Sequence, residues 1–391
     1  MTSEVGTLIW PGLAAFCLTL ALTPLFRMMF HRWNILDSPD DTRRIHRKPI
    51  PRVGGMAISS ALVIAFILLC TISPMSFTQK QFELVWRIAP SAVAVFATGV
   101  LDDVFGLRAW QKLLGQFVAA GIACTSGIVI TGGWWALPVS IVWLLGCTNG
   151  FNLIDGMDGL AGGAGFIAAT TISMAALVQG DVPLAVVVLA LAGGLLGFLR
   201  YNFHPATVFL GDSGSLLLGF VLGCGGIMWS RALANHAGLL APAVVLSVPL
   251  LDVGLSIIRR TIGRRPIFSA DLGHVHHRLL SKRMTTRHAA LALYMMCGIV
   301  SVFGVIESIT EDPRMRSLVF LLFCVNLLAA TAYLGYFRSL RTELVPQAGK
   351  ERRFLTFTWL SFAGQVTADP KHPKTHPGEL RDRSAATRSR M

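Results

Sequence analysis

Long apolar runs separated by short polar connections dominate this chain. Eleven runs stand out, at 8–29, 54–73, 85–101, 112–131, 134–150, 160–179, 182–199, 213–230, 239–258, 288–309 and 317–337. A helix rises about 1.5 Å per residue, so about 20 apolar residues cross the ~30 Å hydrocarbon core of a bilayer. The runs predict an all-α polytopic membrane protein, a bundle of about 11 transmembrane helices over residues 1–340. Glu4 precedes the first run, with no Lys or Arg before it. A cleaved leader starts with basic residues and ends at a small-residue cleavage site, so this run reads as a retained span with its N-terminus outside.

Composition narrows the class. Of 391 residues, 53% are hydrophobic and 14% charged, and the mean hydropathy is +0.60. That is too little charge to cover the surface of a soluble protein of this length. The net charge of +13 raises the question of nucleic acid. Its placement answers against it, because the basic residues gather in alternate connections, the pattern that sets membrane topology. Anionic membrane lipids and an anionic substrate are the expected partners, with no nucleic acid. Seven cysteines lie in or beside apolar runs without a C-x-x-C pair, so neither a zinc site nor a disulfide framework is indicated.

With the N-terminus outside, the inner connections are 30–53, 102–111, 151–159, 200–212 and 259–287. Arg43, Arg44, Arg47, Lys48 and Arg52 load the first, and Arg259, Arg260, Arg264, Arg265, Arg278, Lys282 and Arg283 the last. The outer connections hold little beyond Lys80, Arg231, Arg314 and Arg316. Four polar strings then fall on one inner face: "LDDVFGLRAWQK" from 101, "NGFNLIDGMDG" from 149, "FLGDSGS" from 209 and "HVHHRLL" from 274. At that interface water remains available, which avoids the cost of a charge at bilayer depth, a few kcal/mol each.

Each string has a chemical reading and a plainer one. Asp102 and Asp103 are adjacent carboxylates, one of which should have a raised pKa unless a cation such as Lys112 sits nearby; they suit a base, or a solvated helix end. Asn152, Asp155 and Asp158 recur every third residue, an oxygen set suited to a hard cation such as Mg²⁺, or to a capped loop. Asp212 opens a span, where it is either an N-cap or a holder of a cation against phosphate. Phe209 beside it could stack a flat base or anchor the interface. His276, His277 and Arg278 read as donors to phosphate oxygens, or as ordinary inner-face charge. Together they suit phosphoryl transfer, which needs positioning and charge neutralisation.

Taken in order, the four strings resemble the polyprenyl-phosphate N-acetylhexosamine-1-phosphate transferases, glycosyltransferase family 4. That superfamily also includes phospho-N-acetylmuramoyl-pentapeptide transferase. "ILDSPDDTRRIHRKPIPRVGGMAI" (35–58) is similar to the first cytoplasmic loop of the bacterial branch that uses UDP-GlcNAc, and the resemblance covers about residues 8 to 340. It implies transfer of an N-acetylhexosamine 1-phosphate, GlcNAc by default, from a UDP-sugar to undecaprenyl phosphate, with release of UMP. That is a first membrane step of cell-envelope polysaccharide synthesis. It places the chain in the bacterial inner membrane with its active site on the cytoplasmic face, and leaves a homodimer open. Asp102 would be the base or lipid-phosphate positioner, with Asp103 beside it, and Lys112 would contact phosphate. Asp212 with Asn152 would ligate Mg²⁺, with Mn²⁺ as the alternative ion. Asp155 and Asp158 would shape the nucleotide site, Asp158 near the uracil and Phe209 stacked on it. His276, His277 and Arg278 would hold the pyrophosphate or sugar phosphate.

Other readings are the muramoyl-pentapeptide activity, for which the three consecutive His of that branch are lacking, and a transporter. Transport sites lie near the midplane, where Asp252, near the inner end of its run, is the one candidate acid, Glu307 lying near an outer end. A third is a scaffold acting through its tail. That tail, 341–391, is basic, with a surface-lying stretch near "GKERRFLTFTWLSFAGQ" and a largely disordered end.

Overall fold

The computed structural model describes residues 2–32, 50–72, 79–233, 238–264, 266 and 273–336. Helices account for these segments: α1 (Thr2–Arg32), α2 (Gly54–Ile72), α3 (Gln79–Phe105), α4 (Ala109–Thr125), α5 (Ala136–Ile154), α6 (Leu160–Val178), α7 (Val182–Asn202), α8 (Gly211–Ala232), α9 (Leu240–Val245), α10 (Ser247–Ile262), α11 (Val275–Ser281), α12 (Thr286–Ile309) and α13 (Pro313–Tyr333). Among the described residues the extended backbone forms one isolated bridge, between Arg52 and Phe209. The basic stretch at 43–48 and the 341–391 tail lie outside the described residues.

Nine of these helices are long and apolar enough to cross a membrane. Two expected runs take another form. The run at 112–131 is helical only to Thr125 in α4; Gly127 turns with φ +86°, and Ile130 N–H then donates to Ser140 Oγ at 3.0 Å. The run at 239–258 divides into α9 and α10. Pro249 has no N–H for the carbonyl of Val245, so a continuous helix would lose a bond there and clash. The chain instead breaks at Leu246 and starts α10 with the proline in its first turn, where a missing donor costs nothing.

α8 is the central helix, with 89% of its apolar window buried, whereas α13 has 6%. α3, α5, α2 and α6 pack around α8, while α1 packs along α7 and α2. The small-residue faces explain the closeness. A Cβ at Gly219 of α8 would lie 2.4 Å from the Cys147 carbonyl oxygen of α5, and one at Gly193 of α7 would lie 2.0 Å from the Gly12 carbonyl oxygen of α1. α13 presents Leu318, Leu321, Leu322, Val325 and Leu328 outward, the surface a helix shows to lipid.

Candidate active site

The N-terminus of α8 is the organising point. The first N–H groups of a helix have no partner within it and carry the positive end of the dipole. Asp103, at the C-terminal end of α3, satisfies two of them: its Oδ1 accepts from Asp212 N–H at 2.8 Å and its Oδ2 from Ser213 N–H at 2.9 Å. That contact requires the two helices almost to touch. Gly99, one turn back on α3, permits it, since a Cβ there would lie 2.4 Å from Ser213 Cα.

Asp212 then turns its side chain into a cluster of groups brought from two of the other strings and from the connection before α2. Lys112 Nζ of α4 donates to its Oδ1 at 2.7 Å and also pairs with Asp102 Oδ2. Asp102 Oδ1 accepts from Leu107 N–H at 2.8 Å, which ties the α3–α4 turn to the same carboxylate. Asn152 Nδ2 of α5 donates to Asp212 Oδ1 at 2.5 Å and to Ser215 Oγ at 2.9 Å. One turn deeper, Asn149 and Gln116 pair their carboxamides, with Asn149 Nδ2 donating to Gln116 Oε1 at 2.6 Å, and so clasp α5 to α4. Arg52 Nη1 lies 3.9 Å from Asp212 Oδ2. Short extended bonds place it: Phe209 N–H donates to Pro51 O (3.0 Å) and Gly54 N–H to Phe209 O (2.9 Å). Phe209 is thus fixed beside Arg52, behind the acid cluster.

Asp155 caps the end of α5 and is half-buried, with its carboxylate making no hydrogen bond among the described residues. Burial pushes its pKa well above the usual carboxylate value; the charges of Asp212 and Asp103 add to this, and Arg52 opposes. Four carboxylates (Asp102, Asp103, Asp155, Asp212) therefore share a neighbourhood with two cations, Lys112 and Arg52. The excess of negative charge suits a divalent cation. The oxygen donors near Asp212 fit Mg²⁺, which keeps waters and takes substrate phosphate rather than an all-protein cage. Among the described residues no three His, Cys, Asp or Glu side chains are arranged to hold a metal on their own.

The loop after α5 is flanked on two sides. On one, Asp158 Oδ2 accepts from Ala206 N–H at 3.0 Å and meets His204 Nδ1 at 2.7 Å, while Gly159 N–H donates to Asn202 Oδ1 at 3.1 Å. Asp158 thus fastens its loop to the 202–206 connection. On the other, a Cβ at Gly156 would lie 2.6 Å from His276 Nε2, so the imidazole lies directly on that glycine. His276 is buried, and its Nδ1 has no hydrogen-bond partner among the described residues. Burial, then His277, lowers its pKa to about 4, with Asp252 opposing and His274 adding; the ring is neutral at pH 7.

Asp252 of α10 anchors this second group. Its Oδ2 meets His274 Nδ1 at 2.9 Å, and its Oδ1 accepts from Val275 N–H at 3.0 Å and Tyr336 OH at 3.1 Å. The Arg278 guanidinium stacks over the Tyr336 ring at 4.0 Å, and its Nε donates to Gly273 O at 2.8 Å. His276 and His277 lie with ring centroids 4.2 Å apart.

Asp102, Asp103, Lys112, Asn152 and Asp212 are therefore in mutual contact, with Asp155 beside them. Asp158 and His276 border the 155–159 loop, and Phe209 stands behind Arg52. His277 and Arg278 belong to the Asp252 group, where Arg278 faces Tyr336. Arg52, Ser215, His204 and Asp252 complete the arrangement. The expectations treated Arg52 only as inner-face charge and Asp252 only as a transporter's acid; the Pro-Arg-Val-Gly-Gly setting of Arg52 was the one available signal.

The model for glycosyl transferase family 4 matches residues 85–230, the stretch from α3 to the end of α8. Relatives extend the likeness over most of the chain. A protein of Bacillus subtilis (strain 168) named "Probable undecaprenyl-phosphate N-acetylglucosaminyl 1-phosphate transferase" is 33% identical over 299 residues, covering 73% of this chain and 81% of its own. The decaprenyl-phosphate N-acetylglucosaminephosphotransferase of Mycobacterium tuberculosis (strain ATCC 25618 / H37Rv) is 34% identical over 336 residues, 78% of this chain and 83% of that one. The chain belongs to glycosyl transferase family 4. The phospho-N-acetylmuramoyl-pentapeptide-transferase of Desulforamulus reducens (strain ATCC BAA-1160 / DSM 100696 / MI-1) is 31% identical over 328 residues, 77% of this chain and 96% of that one. The family 4 match therefore spans α3, α5 and α8, and with them the whole Asp212 cluster apart from Arg52.

Proposed function

We propose that this family 4 member transfers N-acetylglucosamine 1-phosphate from UDP-GlcNAc to a polyprenyl phosphate, undecaprenyl phosphate by default, releasing UMP. The observation that carries the reading is Lys112 Nζ between Asp102 and Asp212, with Asn152 on the same oxygen of Asp212: residues from α3, α4, α5 and α8 meet at one helix N-terminus. The names of the two GlcNAc-transferring relatives point the same way. In this reading the bundle crosses the bacterial plasma membrane eleven times, with α9 and α10 as one broken crossing. The N-terminus lies outside and the acid cluster faces the cytoplasm.

An oxygen of the lipid phosphate attacks the sugar-bearing phosphorus, and the bond to UMP breaks as UMP leaves with the electron pair. Direct attack is the preferred route, with the lipid phosphate rather than a side chain as the nucleophile. Asp212 and Asn152 would hold Mg²⁺, which when bound neutralises pyrophosphate oxygens and stabilises the leaving group. Lys112 contributes a fixed positive charge between the two carboxylates. Arg52 adds a second cation, able to fork onto phosphate. Asp102 is the base that takes the residual proton of a lipid phosphate monoester, whose second pKa is about 6. Held by Lys112 and the Leu107 N–H, it also positions that lysine. His276, neutral, offers its ring nitrogen to the sugar phosphate. Phe209 and the 155–158 loop border the nucleotide.

Purified protein with undecaprenyl phosphate, Mg²⁺ and a panel of UDP-sugars, UDP-MurNAc-pentapeptide included, tests the reading. UMP release is expected with UDP-GlcNAc. Release with none of the panel overturns it, and vesicle uptake of an ion without UMP release would establish the transporter instead. Label from the sugar phosphate trapped on the protein without lipid acceptor would overturn direct attack.

A further inference from the structure

A second basic feature is separate from the acid cluster. A cavity of about 590 Å³ lies between the ends of α1, α7 and α12 and the 203–207 connection, lined by Arg27, Arg200, His204 and Arg287 together with Tyr201, Phe203 and other residues. Among the described residues its lining contains no Asp or Glu. Arg27 and Arg200 have neither an ion pair nor a hydrogen-bond partner among the described residues, and both are exposed. Ordinary inner-face arginines stand apart on loops. Here three come from three different helices and converge on one concavity.

The concavity is also held in shape. Tyr201 OH donates to Leu20 O of α1 at 2.9 Å, which locks α7 to α1 below the arginines. Arg287 Nε donates to His204 O at 3.1 Å, which leaves its terminal nitrogens for a ligand. Arg200 belongs to the last turn of α7, Arg27 lies one turn further in on α1, and Arg287 belongs to the first turn of α12. All three are thus at the bundle end that carries Asp102, Asp155 and Asp212, where a lipid headgroup would sit. Three guanidiniums with forked donors, with no acid among the described lining residues, fit a phosphate group, and aromatic side chains in the wall fit the carbon adjoining it. The volume is in the range of small-ligand sites.

We propose that this cleft binds the phosphate of an anionic phospholipid from the surrounding leaflet, at a site distinct from the one where the acceptor lipid reacts. It communicates with the reaction centre through one connection: His204 pairs with Asp158 and Ala206 N–H binds the same carboxylate, so the wall of the cleft is the support of the 155–159 loop. A bound headgroup braces that loop.

The test uses the full chain purified in detergent, with Arg27→Gln/Arg200→Gln and Arg27→Lys/Arg200→Lys compared with the parent. Native mass spectrometry reads retention of phosphatidylglycerol against phosphatidylcholine. The parent should hold phosphatidylglycerol through delipidation that strips phosphatidylcholine. The Gln pair should hold it about tenfold or more weakly, and the Lys pair should fall between, because lysine cannot form the forked contact. Phosphate or pyrophosphate at millimolar concentration, read by the melting temperature, separates the sources. Protection of the parent by the soluble ion, with the two lipids held equally, would replace the lipid by a free phosphate and overturn the stated source. Equal phosphatidylglycerol retention by the parent and the Gln pair overturns the site. UMP release in phosphatidylcholine nanodiscs, unchanged in the Gln pair, shows that the variant is folded, and added phosphatidylglycerol should raise the rate of the parent alone.

Discussion

Two aspartates at the same end of the bundle are treated in opposite ways. The Asp252 side chain is 1% exposed, and both its oxygens are occupied by His274, Val275 N–H and Tyr336 OH. The Asp212 side chain is 21% exposed; its Oδ1 is shared by Lys112 and Asn152, and its Oδ2 faces Arg52 only at 3.9 Å. A buried carboxylate with complete hydrogen bonding is a fastener, and removing a partner leaves an uncompensated polar group. A carboxylate with one loosely engaged oxygen, among more negative charge than its cations balance, is ready to exchange partners. The first builds the platform for the His motif, and the second meets the ligand.

The same substitution at both positions should separate them most. Asp212→Asn keeps the shape and removes the charge that Lys112, Arg52 and a divalent cation need, so UMP release should fall about a thousandfold or more. Asp252→Asn can keep all three contacts, its amide donating to His274 and its carbonyl accepting from Val275 N–H and Tyr336 OH. The loss there should be less than about tenfold, whereas Asp252→Leu, which strands three buried groups at about 1–3 kcal/mol each, should lower the melting temperature sharply. A comparable loss for the two Asn variants would remove the distinction. Lys112→Met comes next. It leaves Asp102 and Asp212 facing each other without their shared cation, and a fall of about a hundredfold in kcat/KM is expected. Lys112→Arg should recover part of it.

The sequence shows the Asp212 centre more plainly than the Asp252 centre, and the reason is physical. Asp102, Asp103, Lys112, Asn152 and Asp212 stand beside apolar runs, where a charge needs a reason, and alternation of sides places all of them on one face. Arg52 is hidden in a connection crowded with other arginines, and only the pairing of 51–55 with 209–210 assigns it to Asp212. Asp252 resembles a lone acid within an apolar run because its partners lie 22 and 84 residues away. The helices follow the same rule. Apolar length alone locates the nine long ones, but the break at Leu246 depends on Pro249, and the early stop of α4 on the turn at Gly127.

The smallest effect is a difference in pH dependence, and it tests the comparison from a second side. Near Asp252, His276 binds its proton only near pH 4, whereas an unfolded histidine does so near 6.5. Between those values the unfolded chain holds more protons, so the stability due to this residue is present above pH 6.5 and is lost as pH falls towards 4, by up to about 3 kcal/mol. Near Asp212, Asp155 has the opposite sign. Its folded pKa is raised above 3.8, so the folded chain keeps a proton that the unfolded chain releases, and stability falls as pH rises above 3.8 through that window. Melting temperatures of the parent, His276→Gln and Asp155→Asn across pH 4.5 to about 8 should therefore diverge in opposite directions. The Gln variant should lose less than the parent on acidification, and the Asn variant should lose less on alkalinisation. Parallel curves for all three would mean that neither group is titrated away from its ordinary range, and the contrast between a fastened and an exchangeable centre would then rest on hydrogen bonding alone.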